Sequence, residues 1–212
     1  MSKLLTSLIA AVAILAIAGY AFFGTSSTVV AADAELGEAA PGFTLKNVAT
    51  GEDVSLSDYE GKTVVLVFHS ISCPWYEMRE NGGYDRVLAP MAEAYADKDV
   101  VFLGVNANRT EPTEEVAGYV AEHNSPYAVL KDEGNVVADA YGGQVTPHIF
   151  VINGEGELVY RGAIEKKVSN PGACGTSDTQ YLAPVLDAII EGTELPYTDT
   201  TSDIKGCGIK RV

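Results

Sequence analysis

The chain has 212 residues, which is long enough for one domain with a sizeable hydrophobic core. Its 14 basic and 29 acidic side chains give a formal net charge of −15, which argues against nucleic acid or an anionic membrane surface as a partner. No segment repeats at a fixed period, which argues against a solenoid or a propeller.

The N-terminus carries an export signature. Residues 4–23, which begin at Leu4 and end at Phe23, are almost wholly apolar, and Ala32-Asp33-Ala34 resembles a signal cleavage site. We therefore expect residues 1–34 to be a signal peptide. The apolar run is also just long enough to cross a bilayer, so an uncleaved membrane anchor is the alternative. In both cases residues 35–212 are exported, to the periplasm or the extracellular space.

The rest of the sequence alternates strands with helices. Apolar runs are typical of strands buried on both faces, and they predict strands at 63–68, where residues 64–68 are all apolar, and at 100–105. Three further strands are predicted, at 127–130, 148–152 and 158–161. Helices are predicted over 75–95 with a break at 81–83, and over 113–123, 135–141 and 181–191. This order predicts an α/β fold with a mixed, mainly parallel central sheet, helices on both faces and a tail from about residue 192.

Cys73 follows the first buried strand and precedes Pro74. Proline suits the first position of a helix because its missing N–H would have no partner there. Cys73 is therefore expected where a strand ends and a helix begins, and there the unpaired amides and the helix dipole favour a thiolate. Ser70 or a backbone amide could donate a hydrogen bond to the sulfur. The alternative is a buried structural thiol.

Three motifs resemble the thioredoxin-like superfamily: Cys73-Pro74 after a strand, Val145-Thr146-Pro147-His148 before a strand, and the ending Gly206-Cys207-Gly208-Ile209-Lys210. They are most similar to the redoxin branch, the AhpC/TSA and peroxiredoxin-like proteins with a single Cys-Pro motif. The resemblance covers about residues 41–210. It implies a thioredoxin-like fold, Cys73 as the nucleophile, and Pro147 as a cis-proline packed against it. It also implies a peroxide or a protein disulfide as the usual reaction partner.

The chain departs from this pattern beside Cys73. Tyr76 stands where a Cys-x-x-Cys motif has its second cysteine, so a local dithiol is excluded. Ser70 has the spacing of the peroxiredoxin hydroxyl residue, but the proline-rich approach to it is missing. A redox cycle at Cys73 must therefore take its second sulfur from a distant loop, the tail or another molecule.

Cys174 and Cys207 are the candidates for that second sulfur. Export permits disulfides, and an odd number of cysteines leaves one thiol free or paired with another molecule. Cys207 lies between two glycines, so it is expected on mobile backbone from which it could attack a sulfenic acid on Cys73. A permanent Cys174–Cys207 bond that fixes the tail is the alternative. Cys174 is an equal candidate for either bond.

Two histidines and one arginine complete the candidate site. His148 follows Pro147 and is expected near Cys73, where it could hold the thiolate or shuttle a proton. Its alternative is a strand histidine with its ring at the surface. His69 is expected to be a satisfied core or boundary residue. Arg79 could stabilise the thiolate or simply face solvent.

Together these features predict an exported thiol oxidoreductase, with residues 35–212 as one redoxin domain. Cys73 would attack a peroxide or a disulfide in an antioxidant, peroxiredoxin-like reaction, and an external thiol would reduce the product. No cofactor and no metal ion is expected for this reaction. One alternative is a copper-binding module with Cys73 and His148 as soft ligands, although Glu77 stands where related carriers have a cysteine. The other is a non-catalytic thioredoxin-fold binding protein with an inert Cys73.

Overall fold

The computed structural model of the protein describes residues 34–77 and 83–212. The predicted signal peptide or anchor and Arg79 lie outside the described residues, apart from Ala34. The strands are β1 (Thr44–Asn47), β2 (Asp53–Ser55), β3 (Thr63–His69), β4 (Val100–Asn106), β5 (Ala128–Lys131), β6 (Val145–Thr146), β7 (His148–Ile152), β8 (Leu158–Gly162) and β9 (Cys207–Gly208). The α-helices are α1 (Asp85–Tyr95), α2 (Thr113–His123), α3 (Val136–Ala140) and α4 (Leu182–Glu191).

Seven strands form one sheet in the order β2-β1-β5-β4-β3-β7-β8. The central pairs β3–β4 and β4–β5 are parallel, and the other four pairs are antiparallel. The prediction of an α/β fold with a mixed sheet is confirmed, but parallel pairs do not dominate. The reason is that two antiparallel hairpins, β1–β2 and β7–β8, extend the parallel centre on its two sides.

β3 lies inside this sheet between β4 and β7, and all seven of its residues are buried. Because successive side chains point to opposite faces, Val65 and Val67 belong to one core cluster, while Leu66 and Phe68 belong to the other. The first cluster is covered by α1 and α4, and the second by α3. Two successive parallel crossovers, through α1 and then α2, place both of those helices on the same face.

α1 begins ten residues later than predicted, at Asp85 instead of residue 75. After β3 the chain makes a single turn, in which the N–H of Glu77 donates to the carbonyl of Cys73 at 2.9 Å. Cys73 therefore precedes one helical turn, not a long helix. The chain rejoins this turn at Tyr84, whose N–H donates to the carbonyl of Trp75 at 2.7 Å.

Gly83 marks the point of return. Its φ of +79° is in the region that favours glycine, and a Cβ there would run into the backbone of Tyr76 and Glu77. The predicted break at residues 81–83 therefore ends at Gly83, and the close contact of this glycine with the preceding turn sets the start of α1.

The C-terminal tail is held along its length. β9 pairs antiparallel with β6, with Thr146 opposite Cys207 and Val145 opposite Gly208. Beyond β9, the side chain of Ile209 is buried in the α3 face of the core. The expectation of a mobile Cys207 is therefore corrected, because backbone pairing and a buried side chain fix the segment around it.

None of the helices within residues 34–77 and 83–212 has both the length and the apolar character needed to cross a membrane.

Candidate active site

Cys73 is fully buried at the carboxyl end of β3, beside the loop that precedes β7. Its thiol donates to the carbonyl oxygen of Thr146 at a sulfur–oxygen distance of 3.0 Å. The peptide bond between Thr146 and Pro147 is cis. The structure thus assembles Cys73, Thr146 and the proline that follows it, while Pro74 is exposed at the turn.

Cys207 lies against this site. The pairing of β9 with β6 places Cys207 opposite Thr146, whose carbonyl accepts the hydrogen bond of the Cys73 thiol, so the Cys207 thiol lies beside that of Cys73 and near the backbone N–H of Trp75. Burial raises the pKa of the Cys207 thiol to about 12, and the contact with the Cys73 sulfur adds to this rise.

Cys174 occupies a different cluster. Its buried thiol contacts the hydroxyl of Tyr84 and lies near the carboxylate of Glu165. Burial raises the pKa of Cys174 to about 11, and the Glu165 carboxylate acts in the same direction. All three cysteines are free thiols, so the alternative Cys174–Cys207 bond is absent. Of the two candidates for the second sulfur, the structure places Cys207 at Cys73.

Ser70 does not donate to the sulfur. Its hydroxyl donates to Oε1 of Glu111 at 2.5 Å, and so does the hydroxyl of Ser72 at 2.5 Å. A carboxylate is a much stronger acceptor than a thiol, which explains why this expectation fails. The backbone N–H groups of Ile71 and Ser72 donate to the same carboxylate, at 3.2 and 3.1 Å. Glu111 therefore holds the whole loop that leads into Cys73.

Glu111 is itself held from the far side. The side-chain amide of Asn106 donates to its Oε2 at 2.6 Å, and the ammonium of Lys131 donates to its backbone carbonyl at 2.7 Å. Burial alone raises the pKa of Glu111, but the hydrogen bonds from Ser70, Ser72 and Asn106 outweigh it and lower the pKa below its usual value. The carboxylate is therefore ionised at neutral pH.

Sequence reasoning missed Glu111, although a signal for it exists. β3 and β4 are parallel neighbours, so their carboxyl ends meet at one edge of the sheet. Asn106 ends β4 and Glu111 follows five residues later, as Ser70 follows β3. Polar residues after two adjacent parallel strands are expected to meet.

His148 does not face Cys73. Its ring contacts that of Phe150 at a centroid distance of 4.3 Å, whereas Ile149, between them, belongs to the core cluster of Cys73. The imidazole is therefore on the opposite face of the sheet, where it lines a cavity of about 640 Å³ together with Arg161. Burial lowers the pKa of His148 to about 4, so the ring is neutral at pH 7. The expected contact of His148 with the thiolate is wrong.

His69 is buried but unsatisfied, contrary to expectation. Its ring stacks on Tyr76 at a centroid distance of 4.7 Å, and neither ring nitrogen has a hydrogen-bond partner within the described part of the chain. Burial lowers the pKa of His69 to about 4. Tyr76, whose phenol contacts Asp85 and Tyr127, is a core residue.

The copper alternative loses its ligand pair. Cys73 and His148 are on opposite faces of the sheet, so they cannot share one ion. Among the described residues, no group of three or more His, Cys, Asp or Glu side chains is arranged to hold a metal.

Comparison with known sequences agrees with the motifs of the site. A family model described as the AhpC/TSA family matches residues 36–161. The chain is 34% identical over 126 residues to the thiol-disulfide oxidoreductase ResA of Halalkalibacterium halodurans, which covers 59% of this chain and 67% of that protein. It is 30% identical over 116 residues to a putative peroxiredoxin of Coxiella burnetii, covering 55% of this chain and 72% of the relative.

Solved structures show the same fold. An uncharacterized conserved protein from Geobacillus kaustophilus superimposes with a TM-score of 0.70 at 30% identity, covering 83% of this chain and 92% of that one. A hypothetical protein from Sinorhizobium meliloti 1021 gives a TM-score of 0.72 at 26% identity, over 85% and 97% of the two chains. A putative thioredoxin from Neisseria meningitidis gives 0.51 at 29% identity, over 62% and 80%. The predicted thioredoxin-like fold is confirmed.

Proposed function

Because the chain belongs to the AhpC/TSA family of thioredoxin-like proteins, we propose that it is a thiol oxidoreductase whose Cys73 and Cys207 cycle between dithiol and disulfide. The observation that carries this proposal is the contact between the two thiols, which lie 134 positions apart in sequence and meet through β9. Cys207 supplies the second sulfur that the missing Cys-x-x-Cys motif would otherwise supply.

The position of each cysteine suggests its role. Cys73 lies after β3 and beside the cis bond between Thr146 and Pro147, where the resemblance places the nucleophile, so we assign the attack to Cys73 and the second sulfur to Cys207. With a hydroperoxide, the thiolate attacks one oxygen, the O–O bond breaks, and the other oxygen leaves as an alcohol or water after taking a proton. Cys73 is then a sulfenic acid.

The second step closes the cycle. The Cys207 sulfur attacks the sulfenic sulfur, water leaves, and the disulfide forms. With a disulfide as oxidant, the Cys73 thiolate attacks one of its sulfurs and releases the first thiol, and Cys207 then attacks the mixed disulfide at Cys73 and releases the second thiol. An external thiol, two equivalents for each cycle, then returns the pair to the dithiol. An antioxidant role follows if the oxidant is a peroxide.

We also propose that the protein acts outside the cytoplasm. The support is the apolar segment of residues 4–23, either cleaved as part of a signal peptide or retained as a membrane tether. An oxidising compartment would require a dedicated external thiol to keep Cys73 and Cys207 reduced.

The proposal is tested by three variants of the full chain, Cys73→Ser, Cys207→Ser and Cys174→Ser. Each reduced protein receives hydrogen peroxide or 2-hydroxyethyl disulfide, and the products are alkylated, digested and weighed. The parent and Cys174→Ser should form a Cys73–Cys207 disulfide. Cys207→Ser should stop at a Cys73 sulfenic acid, which dimedone traps. The proposal fails if Cys73→Ser consumes oxidant as fast as the parent.

A further inference from the structure

We propose that the C-terminal tail takes the place of a polypeptide substrate at β6 and thereby restricts the Cys73–Cys207 pair to small-molecule oxidants. This inference rests on the proposed thiol oxidoreductase function and adds the class of substrate. It follows from three observations on the described residues: the pairing of β6, the surroundings of the Cys73 sulfur and the anchoring of the tail.

The backbone edge of β6 is already paired within the chain. An extended polypeptide binds a sheet by adding its backbone to a free strand edge. Here β9 pairs with β6, and the N–H of Ile209 continues the pairing by donating to the carbonyl of Gln144 at 2.9 Å. At Gly206 the approach is so close that a Cβ would run into the carbonyl of Thr146. The tail therefore fills the edge beside Cys73 with backbone of the same chain.

The sulfur of Cys73 is also enclosed. Its exposed fraction is 0%, with the Thr146 carbonyl on one side and the Cys207 thiol in contact with it. A thiolate must touch a disulfide sulfur in order to attack it. A disulfide within a folded protein brings its own backbone with it, and that backbone would have to occupy the space of β9. A hydroperoxide or a small disulfide brings no backbone with it, so a local movement beside the partly exposed Cys207 is enough to let it reach the Cys73 sulfur.

Contacts beyond β9 hold the tail in this place. The N–H of Lys210 donates to Oδ1 of Asn108 at 2.7 Å, and the N–H of Val212 donates to Oδ1 of Asn135 at 2.9 Å. The guanidinium of Arg211 pairs with a carboxylate of α3 at 2.8 Å. Together with the burial of Ile209, these contacts oppose displacement of the tail, so the edge opens only rarely.

The test compares three oxidants on the reduced full chain after its reductant has been removed: hydrogen peroxide, 2-hydroxyethyl disulfide and insulin. Formation of the Cys73–Cys207 disulfide is followed by acid quench, alkylation and mass spectrometry. The dithiol gives two electrons and two protons in each case, releasing water or two thiols. We expect insulin to oxidise the parent about 100-fold more slowly than the small disulfide, because a protein substrate meets only the rare open tail.

Two changes should open the edge while keeping Cys207. A chain that ends at Gly208 loses the anchoring contacts, and Gly206→Ala places a methyl group against the Thr146 carbonyl. In each variant, the ratio of the oxidation rate with 2-hydroxyethyl disulfide to the rate with insulin should fall by about tenfold or more. Gly208→Ala is the matched control, since a Cβ there meets nothing within 4 Å, and it should keep the parent's ratio.

The outcomes separate the two proposals. If none of the three oxidants produces the Cys73–Cys207 disulfide, the proposed function fails and this inference falls with it. If the small oxidants work and insulin oxidises the parent equally fast, the restriction by the tail alone is wrong. It is also wrong if both tail variants fold and form the disulfide with 2-hydroxyethyl disulfide, but keep the parent's ratio of oxidation rates with the small disulfide and with insulin.

Discussion

His148 follows Pro147 directly in the chain, and this position places its side chain on the opposite face of the sheet from Cys73. Pro147 ends the loop beside Cys73, and the first side chain after it points through the sheet to the other face. His148 is therefore a buried neutral ring beside Phe150, and its protonation bears on stability, not on the thiolate.

We predict that His148→Phe makes the protein less sensitive to acid. Burial lowers the pKa of His148 from 6.5 to about 4. At a pH between these two values, His148 therefore binds a proton in the unfolded chain but not in the folded chain. The contribution of the neutral His148 ring to the free energy of unfolding is fully present above pH 6.5 and is lost as the pH falls toward 4. At pH 5 the parent should have lost about 2 kcal/mol through His148 relative to neutral pH.

The measurement is urea unfolding at pH 7.5 and pH 5.0, followed by circular dichroism. The difference between the two pH values should be about 2 kcal/mol smaller in the variant than in the parent. Equal differences in the two proteins would show that His148 accepts a proton without unfolding.

The thiols of Cys174 and Cys207 should differ in reactivity because they differ in exposure. Cys174 is buried, and its loop is held by Arg86, whose guanidinium donates to the carbonyl of Gly172 at 3.0 Å. We expect iodoacetamide at pH 7.5 to modify Cys207 at least about tenfold faster than Cys174, because only a partly exposed thiol is within reach. Peptide mass spectrometry of timed samples measures both rates. Labelling of Cys174 at the rate of Cys207 would contradict its burial.

At the scale of elements, the loops after β3 and β4 act as one unit through Glu111. This carboxylate accepts hydrogen bonds from three successive residues before Cys73 and one from the end of β4. It does not touch the sulfur pair, so it is a positioning residue that sets where Cys73 begins.

We predict that Glu111→Gln lowers the free energy of unfolding at pH 7 by about 2 kcal/mol, because an amide nitrogen faces donors that the carboxylate satisfied. The pKa of Glu111 is lowered on folding, so its stabilisation is present above pH 4.5 and is lost as the pH falls through the folded value. The difference in the free energy of unfolding between Glu111→Gln and the parent should therefore become smaller below about pH 4.

Glu114→Gln is the matched control, because it removes the same charge from an exposed site in the first turn of α2. It should change stability by no more than about 0.5 kcal/mol. A positioning role also requires that Glu111→Gln slows formation of the Cys73–Cys207 disulfide while Glu114→Gln does not. If the two variants behave alike, the Glu111 contacts have no special role.

The sequence pattern predicts some of these elements and misses others for physical reasons. β3 and β4 are predictable because a strand buried on both faces must be apolar throughout. β9 is not, since two residues carry no periodic pattern and their partner β6 is far away along the chain. The position of Cys207 therefore depends on pairing that composition and spacing do not encode. Likewise, the start of α1 depends on the backbone contact at Gly83.

At the scale of the whole molecule, the redox pair connects the first central strand with the last strand. Its disulfide would close a loop of about 134 residues, which removes much of the freedom of the unfolded chain. We predict that the oxidised protein is more stable than the dithiol by about 4 to 5 kcal/mol. Guanidinium unfolding with and without reductant measures the difference.

Cys207→Ser is the control, and its stability should not depend on the redox conditions. Because all the thiols are already free and the two sulfurs are already in contact, little rearrangement of the folded state is needed to form the bond. An oxidised form that is less stable than the dithiol would mean that closure strains the tail.

Trp75 is the one tryptophan of the chain, and its backbone N–H lies near the sulfur of Cys207. The ammonium of Lys205 lies 5.9 Å from the centre of its ring. All indole emission of this protein therefore comes from a residue two positions after Cys73 that packs against the core cluster of Cys73. Trp75 and Cys207 pack against the same core cluster, so formation and reduction of the disulfide are expected to change the intensity of the native fluorescence and can be followed without a label.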